Sequence, residues 1–275
     1  MRRLSPLAMC LAISLTVAAC GKSPEEAKAP EAPPPEPAAA APAPTADAAA
    51  IDAAIASTDR LAGDSDRDAR SQPAEVLKFM ELRPGQHALD YFGAGGYYTE
   101  LMSRVVGADG KVIAYNNIEY RKFSEDAPVK RYGNNRLPNV TEVTTPVEAV
   151  GLEPASLDAV LFMQGYHDLY WRPEKGWPET DPAKALAQLV PALKPGAVVV
   201  VVDHVANAGS DPTKAATDMH RIDPAVIKRD FEAAGLKFDA QSPTFANPAD
   251  DHSKEVFDKS IRHKTDQVMY RFRKP

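Results

Sequence analysis

Five consecutive valines, Val198–Val202, constrain this chain more than any other stretch. Such a run can only be a strand buried on both faces, as in a parallel sheet. A parallel sheet needs helical crossovers, and the flanking sequence supplies them. Gln86 to Tyr91 reads as a first strand, the turn Gly93-Ala94-Gly95-Gly96 follows, and Tyr97 to Val106 reads as a helix with Leu101, Met102 and Val105 on its apolar face. Gly107-Ala108-Asp109-Gly110 turns the chain into a second strand, Lys111 to Tyr115, which completes a βαβ unit with glycines at the strand-to-helix corner.

The alternation continues. Leu157 to Met163 reads as a buried strand, Pro182 to Leu193 as an amphipathic helix, Lys194-Pro195-Gly196 as a turn, and Ala197 to Val202 as the valine strand. Asp223 to Ala234 is a helix with Pro224 in its first turn and Gly235 as its C-cap. Leu236 to Ala240 and Gln267 to Phe272 read as final strands. This order predicts an α/β three-layer fold, with ligands at the carboxyl ends of the strands.

The N-terminus has a different character. Met-Arg-Arg precedes an apolar run, Leu7 to Ala19, that is too short to span a bilayer, which takes about 20 residues. A basic start, a short apolar core and small residues before a cleavage point make a secretory signal. Val17-Ala18-Ala19-Cys20 resembles a bacterial lipobox, which implies a signal peptide over 1–19 and lipidation of Cys20. Gly21 offers no inner-membrane retention residue, so the expectation is a lipid-anchored envelope protein, at the outer membrane and facing the periplasm. Residues 20–47, rich in Pro, Ala and Glu, lack the apolar surface to fold and read as a tether. Residues 48–70 read as a helical extension, with a short helix over Ala48 to Leu61 and a solvated turn at Asp64-Ser65-Asp66-Arg67-Asp68; residues 71–275 form the globular domain.

Composition excludes several functions. The two cysteines, Cys10 and Cys20, leave none in the mature body for a disulfide or a Cys-ligated metal. A net charge of −6 with no basic patch argues against nucleic-acid binding. No metal-ligand spacing such as His-Glu-x-x-His appears, so no metal is expected.

Three stretches carry a family resemblance. His87-Ala88-Leu89-Asp90-Tyr91-Phe92-Gly93-Ala94-Gly95-Gly96-Tyr97-Tyr98-Thr99 is similar to the first motif of class I S-adenosylmethionine (SAM) dependent methyltransferases. Leu157-Asp158-Ala159-Val160 resembles the fourth strand of that fold, and Leu193-Lys194-Pro195-Gly196 the turn before its fifth. Together with Tyr166-His167-Asp168 and Val201-Val202-Asp203-His204, they look closest to exported methyltransferase-like proteins. The resemblance implies a Rossmann-like three-layer sandwich with a mostly parallel seven-stranded sheet and an antiparallel last strand. It implies SAM as cofactor, with Asp90 orienting its methionyl end and Gly93, Gly95, Gly96, Tyr97 and Asn116 around it. Phe92 and Ala94 stand where the family places glycines. Asn116 or Asn117 replaces the carboxylate that holds the ribose, and Thr144-Thr145-Pro146 replaces the acidic residue near the adenine, for which Glu119 or Glu148 is a substitute.

Methyl transfer needs an in-line nucleophile and, for some acceptors, a base. His167 is the candidate base with Asp168 to orient it, or else a helix cap. His204, beside Asp203, is a second candidate with a pKa near the operating pH, or a structural contact. His220-Arg221 either covers the pocket or caps the next helix. Gln164-Gly165-Tyr166 matches the Asn/Asp-Pro-Pro-Tyr of amino methyltransferases only in its aromatic residue, so nitrogen methylation is not indicated. Asp168 to Asp181 is long and irregular enough to be a lid. His252, His263 and Asp250-Asp251 read as surface. The expected activity is methyl transfer to a small or envelope-associated acceptor; the other reading is an inactive ligand-binding lipoprotein on the same scaffold.

Overall fold

The computed structural model describes residues 45–174 and 176–275. The expected signal sequence, Cys20 and the tether as far as residue 44 lie outside the described residues. In chain order the elements are α1 (Ala48–Ala56), α2 (Asp68–Ser71), α3 (Pro73–Phe79), β1 (His87–Tyr91), α4 (Tyr97–Val106), β2 (Lys111–Asn116), α5 (Ile118–Phe123), α6 (Ala127–Tyr132), β3 (Val140–Thr144), β4 (Leu157–Met163), α7 (Pro182–Leu189), β5 (Leu193–His204), α8 (Pro212–Met219), α9 (Pro224–Ala233), β6 (Lys237–Ser242) and β7 (Gln267–Arg273).

Among the described residues the strands form one seven-stranded sheet in the order β3-β2-β1-β4-β5-β7-β6. β7 runs antiparallel to both β5 and β6, while the other pairings are parallel. The order reverses between β1 and β4, and this switch point opens a crevice at the strands' carboxyl ends.

The valine run is central, between β4 and β7. Val198, Val200 and Val202 pack with Ile51 of α1, Leu77 of α3 and Leu101 of α4 on one face. Val199 and Val201 pack with Leu186 of α7 and Ile227 and Phe231 of α9 on the other. Successive side chains of a strand alternate faces, so one homopolymeric run serves both cores.

Several boundaries differ from the sequence expectation. The helix expected to reach Leu193 stops at Leu189 and gives way to a 3-10 turn, Val190–Ala192, because Pro191 has no N–H to continue it. Lys194-Pro195-Gly196 is not a free turn; it lies within β5, where the pairing with β4 shifts register between Leu157 and Ala159. The N-terminal helix ends at Ala56, and Asp47, assigned to the tether, accepts a hydrogen bond from Ala50 N as its N-cap. The charged run forms a 3-10 turn that is solvated at Ser65 and Asp66 as expected, but Asp64 is buried against Arg131 at 2.7 Å. Arg131 also meets the buried Glu100 at 2.6 Å, which ties this turn and α6 to α4.

Candidate functional site

Two neighbouring cavities open at the carboxyl ends of the strands. The first, of about 440 Å³, lies over the turn after β1 and is lined by Asp90, the glycine turn, Arg67, Arg131 and Gln164. Asp90, the last but one residue of β1, is buried, and Thr99 at the start of α4 donates to it at 2.6 Å. Burial pushes its carboxyl up to about 6, against the Thr99 hydrogen bonds that favour the charge. A Cβ on Gly93 would lie 2.7 Å from the Asp90 carboxylate, so glycine here lets the turn close over that group. Gly96 has φ +80°, and a Cβ there would overlap the Tyr132 hydroxyl at 1.7 Å.

Phe92 and Ala94, at the positions where the resembled family has glycine, keep the left-handed backbone regardless, at φ 58° and 48°. The shape of the loop has survived the loss of the residue that makes it cheap. Asn116 explains part of this. Its Oδ1 accepts from Ala94 N at 2.9 Å and its Nδ2 donates to Ala94 O at 3.2 Å, so both ends of the amide hold the turn. Asn116 therefore braces the loop; it is buried and does not line the cavity where it was expected to meet a ribose. Asn117 caps α5 through Tyr120 N. Among the described residues, neither Glu119 nor Glu148 lines this cavity. Tyr97 lines it from α4, and the Arg67 guanidinium lies 4.1 Å above its ring. Arg67 forms no ion pair among the described residues.

The second cavity, of about 410 Å³, shares Tyr120 and Gln164 with the first. Trp171, Trp177 and Phe123 give it an aromatic wall, and His167, Asp168, His204 and His220 supply the polar side. The expected lid is stapled down in this structure. Trp177 packs 4.9 Å from Trp171 and 5.4 Å from Tyr120, and Thr180 donates to Leu169 O at 2.7 Å. Gln164 at φ 56° and His220 at φ 52° are further non-glycine residues in the left-handed region. With Phe92 and Ala94, four such residues line the two cavities, and strain of this kind concentrates at functional sites.

His167 is oriented by a residue other than the one expected. Its Nδ1 pairs with Asp203 Oδ1 at 2.7 Å, and its backbone N–H donates to Asp203 Oδ2 at 2.9 Å. Asp168 Oδ1 lies 3.4 Å from Nε2, and Asp168 Oδ2 accepts from the Tyr120 hydroxyl. Burial acts to lower the His167 pKa, but the Asp168 and Asp203 carboxylates outweigh it and lift it to about 9. The two carboxylates thus favour the protonated ring, in which both nitrogens donate, over the free base that the sequence suggested. Burial sends His204 the other way, down to about 3, with its Nδ1 held against the Thr265 hydroxyl at 2.8 Å; that is far from the operating range. Burial and the nearby His167 charge lower His220 to about 4.

His220 does both things expected of it as alternatives: it ends α8 in the left-handed conformation and lines the cavity. Arg221 points away, fully buried, and pairs with Asp250 at 2.9 Å, so Asp250 is a core anchor and not surface charge. His252 lies 3.1 Å from Asp266. Tyr120, Arg67 and Arg131 belong to the site and were not singled out as site residues in the sequence, while Asp203 was named only as the partner of His204 and Gln164 only in a motif comparison. Asp203 was legible as the carboxylate ending the valine strand; Arg131, on a helix without a strong pattern, carried no such signal.

The protein-L-isoaspartate(D-aspartate) O-methyltransferase family model matches residues 57–145, from just after α1 to just after β3. No curated protein matches the chain. Among solved structures, a SAM dependent methyltransferase from Aquifex aeolicus aligns with TM-score 0.54 and 18% identity, over 82% of this chain and 98% of that one. A SAM dependent methyltransferase from Mesorhizobium loti aligns with TM-score 0.51 and 11% identity, over 74% and 98%. The fold is that of the class I methyltransferases. It is also the fold of the cyclase SpnF, which aligns with TM-score 0.50 and 16% identity over 80% of this chain and 86% of that one. A shared fold places the site and leaves its chemistry to the residues in it.

Proposed function

We propose that this protein transfers a methyl group from SAM to a small acceptor held in the aromatic cavity. The observation that carries this reading is the contiguity of the two cavities across Tyr120 and Gln164. One offers a buried carboxylate on a glycine turn and the other a separate place for an acceptor. Asp90 fits the ammonium of a methionyl group, and Arg67, without a carboxylate partner among the described residues, fits its carboxylate. SAM would supply a methyl group already activated on a sulfonium. The acceptor would take that methyl group as its bond to sulfur breaks, release its proton to solvent, and leave S-adenosylhomocysteine behind. Trp171 and Trp177 exclude water and favour a planar or apolar acceptor. His167, protonated at neutral pH, positions that acceptor by donating from Nε2, with Asp168 beside it; His204 lines the same cavity from behind.

Titration of SAM into the purified full-length chain tests the proposal, beside the Asp90→Asn variant. Saturable binding that weakens at least tenfold in the variant supports it. Absence of binding to a folded wild-type chain overturns it. A second reading, a ligand-binding protein without transfer activity, draws on Asn116: its amide is committed to Ala94, and no carboxylate ends β2. SAM binding without release of S-adenosylhomocysteine across thiol, hydroxyl and carboxyl acceptors would favour that reading.

We also propose that Cys20 is lipidated and that the tether holds the domain at the periplasmic face of the outer membrane. The lipobox-like Val17-Ala18-Ala19-Cys20 supports this. Metabolic labelling with a fatty-acid analogue should mark the wild-type chain and not Cys20→Ser; equal labelling of both removes the proposal.

A further inference from the structure

The polar side of the aromatic cavity brings together more ligand atoms than positioning an acceptor requires. His167, Asp168 and His220 each offer a ligand atom, and these atoms lie within 4.8 Å of one another. The first two follow β4 and the third ends α8, so the set is invisible as a sequence spacing. His167 and Asp168 are 4% and 6% exposed, buried carriers of polar atoms in an aromatic-walled cavity.

Each member is fixed by a partner behind it. Asp203 takes Nδ1 of His167, which leaves Nε2 as the nitrogen turned toward Asp168. A carboxylate behind an imidazole in this way is the usual support of a metal-ligating histidine. Tyr120 holds one oxygen of Asp168 and leaves Oδ1 without a hydrogen bond among the described residues. The His220 ring stands perpendicular to that of His167, with centroids 5.5 Å apart. Its left-handed backbone is held from the next residue, where Arg221 reaches Asp250, Val205 O and Lys254 O.

We propose that His167, Asp168 and His220 form a binding site for a divalent transition-metal ion of the zinc class. Two imidazoles and a carboxylate suit such an ion, and three protein ligands with the remaining position open is the form of its reactive sites. Bonds of about 2.0–2.2 Å require ligand atoms about 3.5 Å apart, so the set closes by about an ångström of side-chain adjustment. Trp171 and Trp177 wall the cavity that holds the three. The ligands lie in the cavity on the far side of Tyr120 and Gln164 from the glycine turn, and a bound ion would take Nε2 of His167 in place of its proton, so that residue serves either the ion or the donor role in the proposed transfer.

Co²⁺ added to the metal-stripped full-length protein is the probe. One equivalent should bind and give visible d–d absorption. His220→Gly removes a ligand at a backbone position that glycine adopts without strain, so the variant should keep its circular dichroism and lose the absorption. Asp203→Asn should weaken Co²⁺ binding about 10–100-fold. His252→Asn, at a separate His/Asp pair, should bind Co²⁺ like wild type. Failure of the wild type to bind Co²⁺, or equal binding by a folded His220→Gly variant, overturns the proposal, and SAM titrated into the same samples reports the methyl-transfer reading separately.

Discussion

The Asp203 carboxylate holds His167 twice, through the ring at 2.7 Å and through the backbone N–H at 2.9 Å. The end of the valine strand thereby sets the position of a histidine that belongs to the loop after β4 and favours its charge. The same carboxylate also accepts from His204 N at 2.8 Å. Asp203→Asn leaves the buried His167 with half of this support. Removing one partner of a buried charged pair costs about 3–5 kcal/mol, so the variant should show a loss of that order in urea unfolding. A change below about 1 kcal/mol would mean that Asp203 is not what holds the ring.

Asp90 should give stability and SAM binding opposite pH dependences. Its folded pKa, about 6, lies above the ordinary 3.8, so the folded chain holds this proton more tightly than the unfolded one. The buried charge therefore opposes folding above about pH 6, and the penalty fades as the pH falls toward 4. Asp90→Asn should unfold at equal or higher urea concentration than wild type at pH 8, with the advantage gone at pH 4. SAM affinity of the wild type should fall below pH 6, as the carboxylate is neutralised. Urea curves at the two pH values, and calorimetry across pH 5–8, check both.

Glu100 works in the reverse sense. Burial opposes its charge, but Arg136, Arg104 and Arg131 outweigh this and hold its carboxyl down at about 2, against an ordinary 4.5. Its contribution is complete above about pH 4.5 and is lost as the pH falls toward 2. The wild type should lose stability across that window, and Glu100→Gln should flatten the dependence while lowering stability at pH 7. An unchanged slope in the variant would assign acid unfolding to other carboxylates.

Gly96→Ala combines a left-handed φ with a Cβ that overlaps the Tyr132 hydroxyl. Overpacking and backbone strain together should cost about 2–4 kcal/mol. Tyr132→Ala in the same chain removes the overlap, so the double variant should be less destabilised than the sum of the singles, measured as a coupling in a double-mutant cycle.

Ile51→Ala asks whether α1 is part of the folded body. Ile51 is fully buried in the core shared by α3, α4 and the even-numbered valines. Truncating it should cost about 2–5 kcal/mol, the range for a large core side chain. A loss under 1 kcal/mol would make α1 an appendage.

Much of the fold could be read from the chain because its signals are local. The valines, the glycine corner after Asp90 and the capping prolines Pro182 and Pro224 each act on their own neighbourhood. The errors were also local: Pro191 ended a helix early, and Lys194-Pro195-Gly196 bent a strand without breaking it. The site was harder. Asp90 and His167 stand beside strand ends and could be singled out there. The charge on His167 could not be foreseen, because it depends on Asp203, 36 positions away, and on how deeply both are buried. Asn116 was placed correctly at the end of β2, but its commitment to Ala94 follows from a turn that closes in three dimensions. Asp64 and Asp250 looked like surface charge because their arginines, Arg131 and Arg221, meet them only in the folded chain.

The position of β7 bears on the order in which the molecule can assemble. It follows β6 in the chain but lies between β5 and β6 in the sheet. Until residue 273 has been made, β5 has an unpaired edge and β6 has no neighbour to bond. A nascent or truncated chain ending before Gln267 would carry its most apolar strand as an open edge, the kind of surface that recruits strands from other chains. For this protein, completeness of synthesis and freedom from aggregation are therefore the same requirement, imposed by one late hairpin.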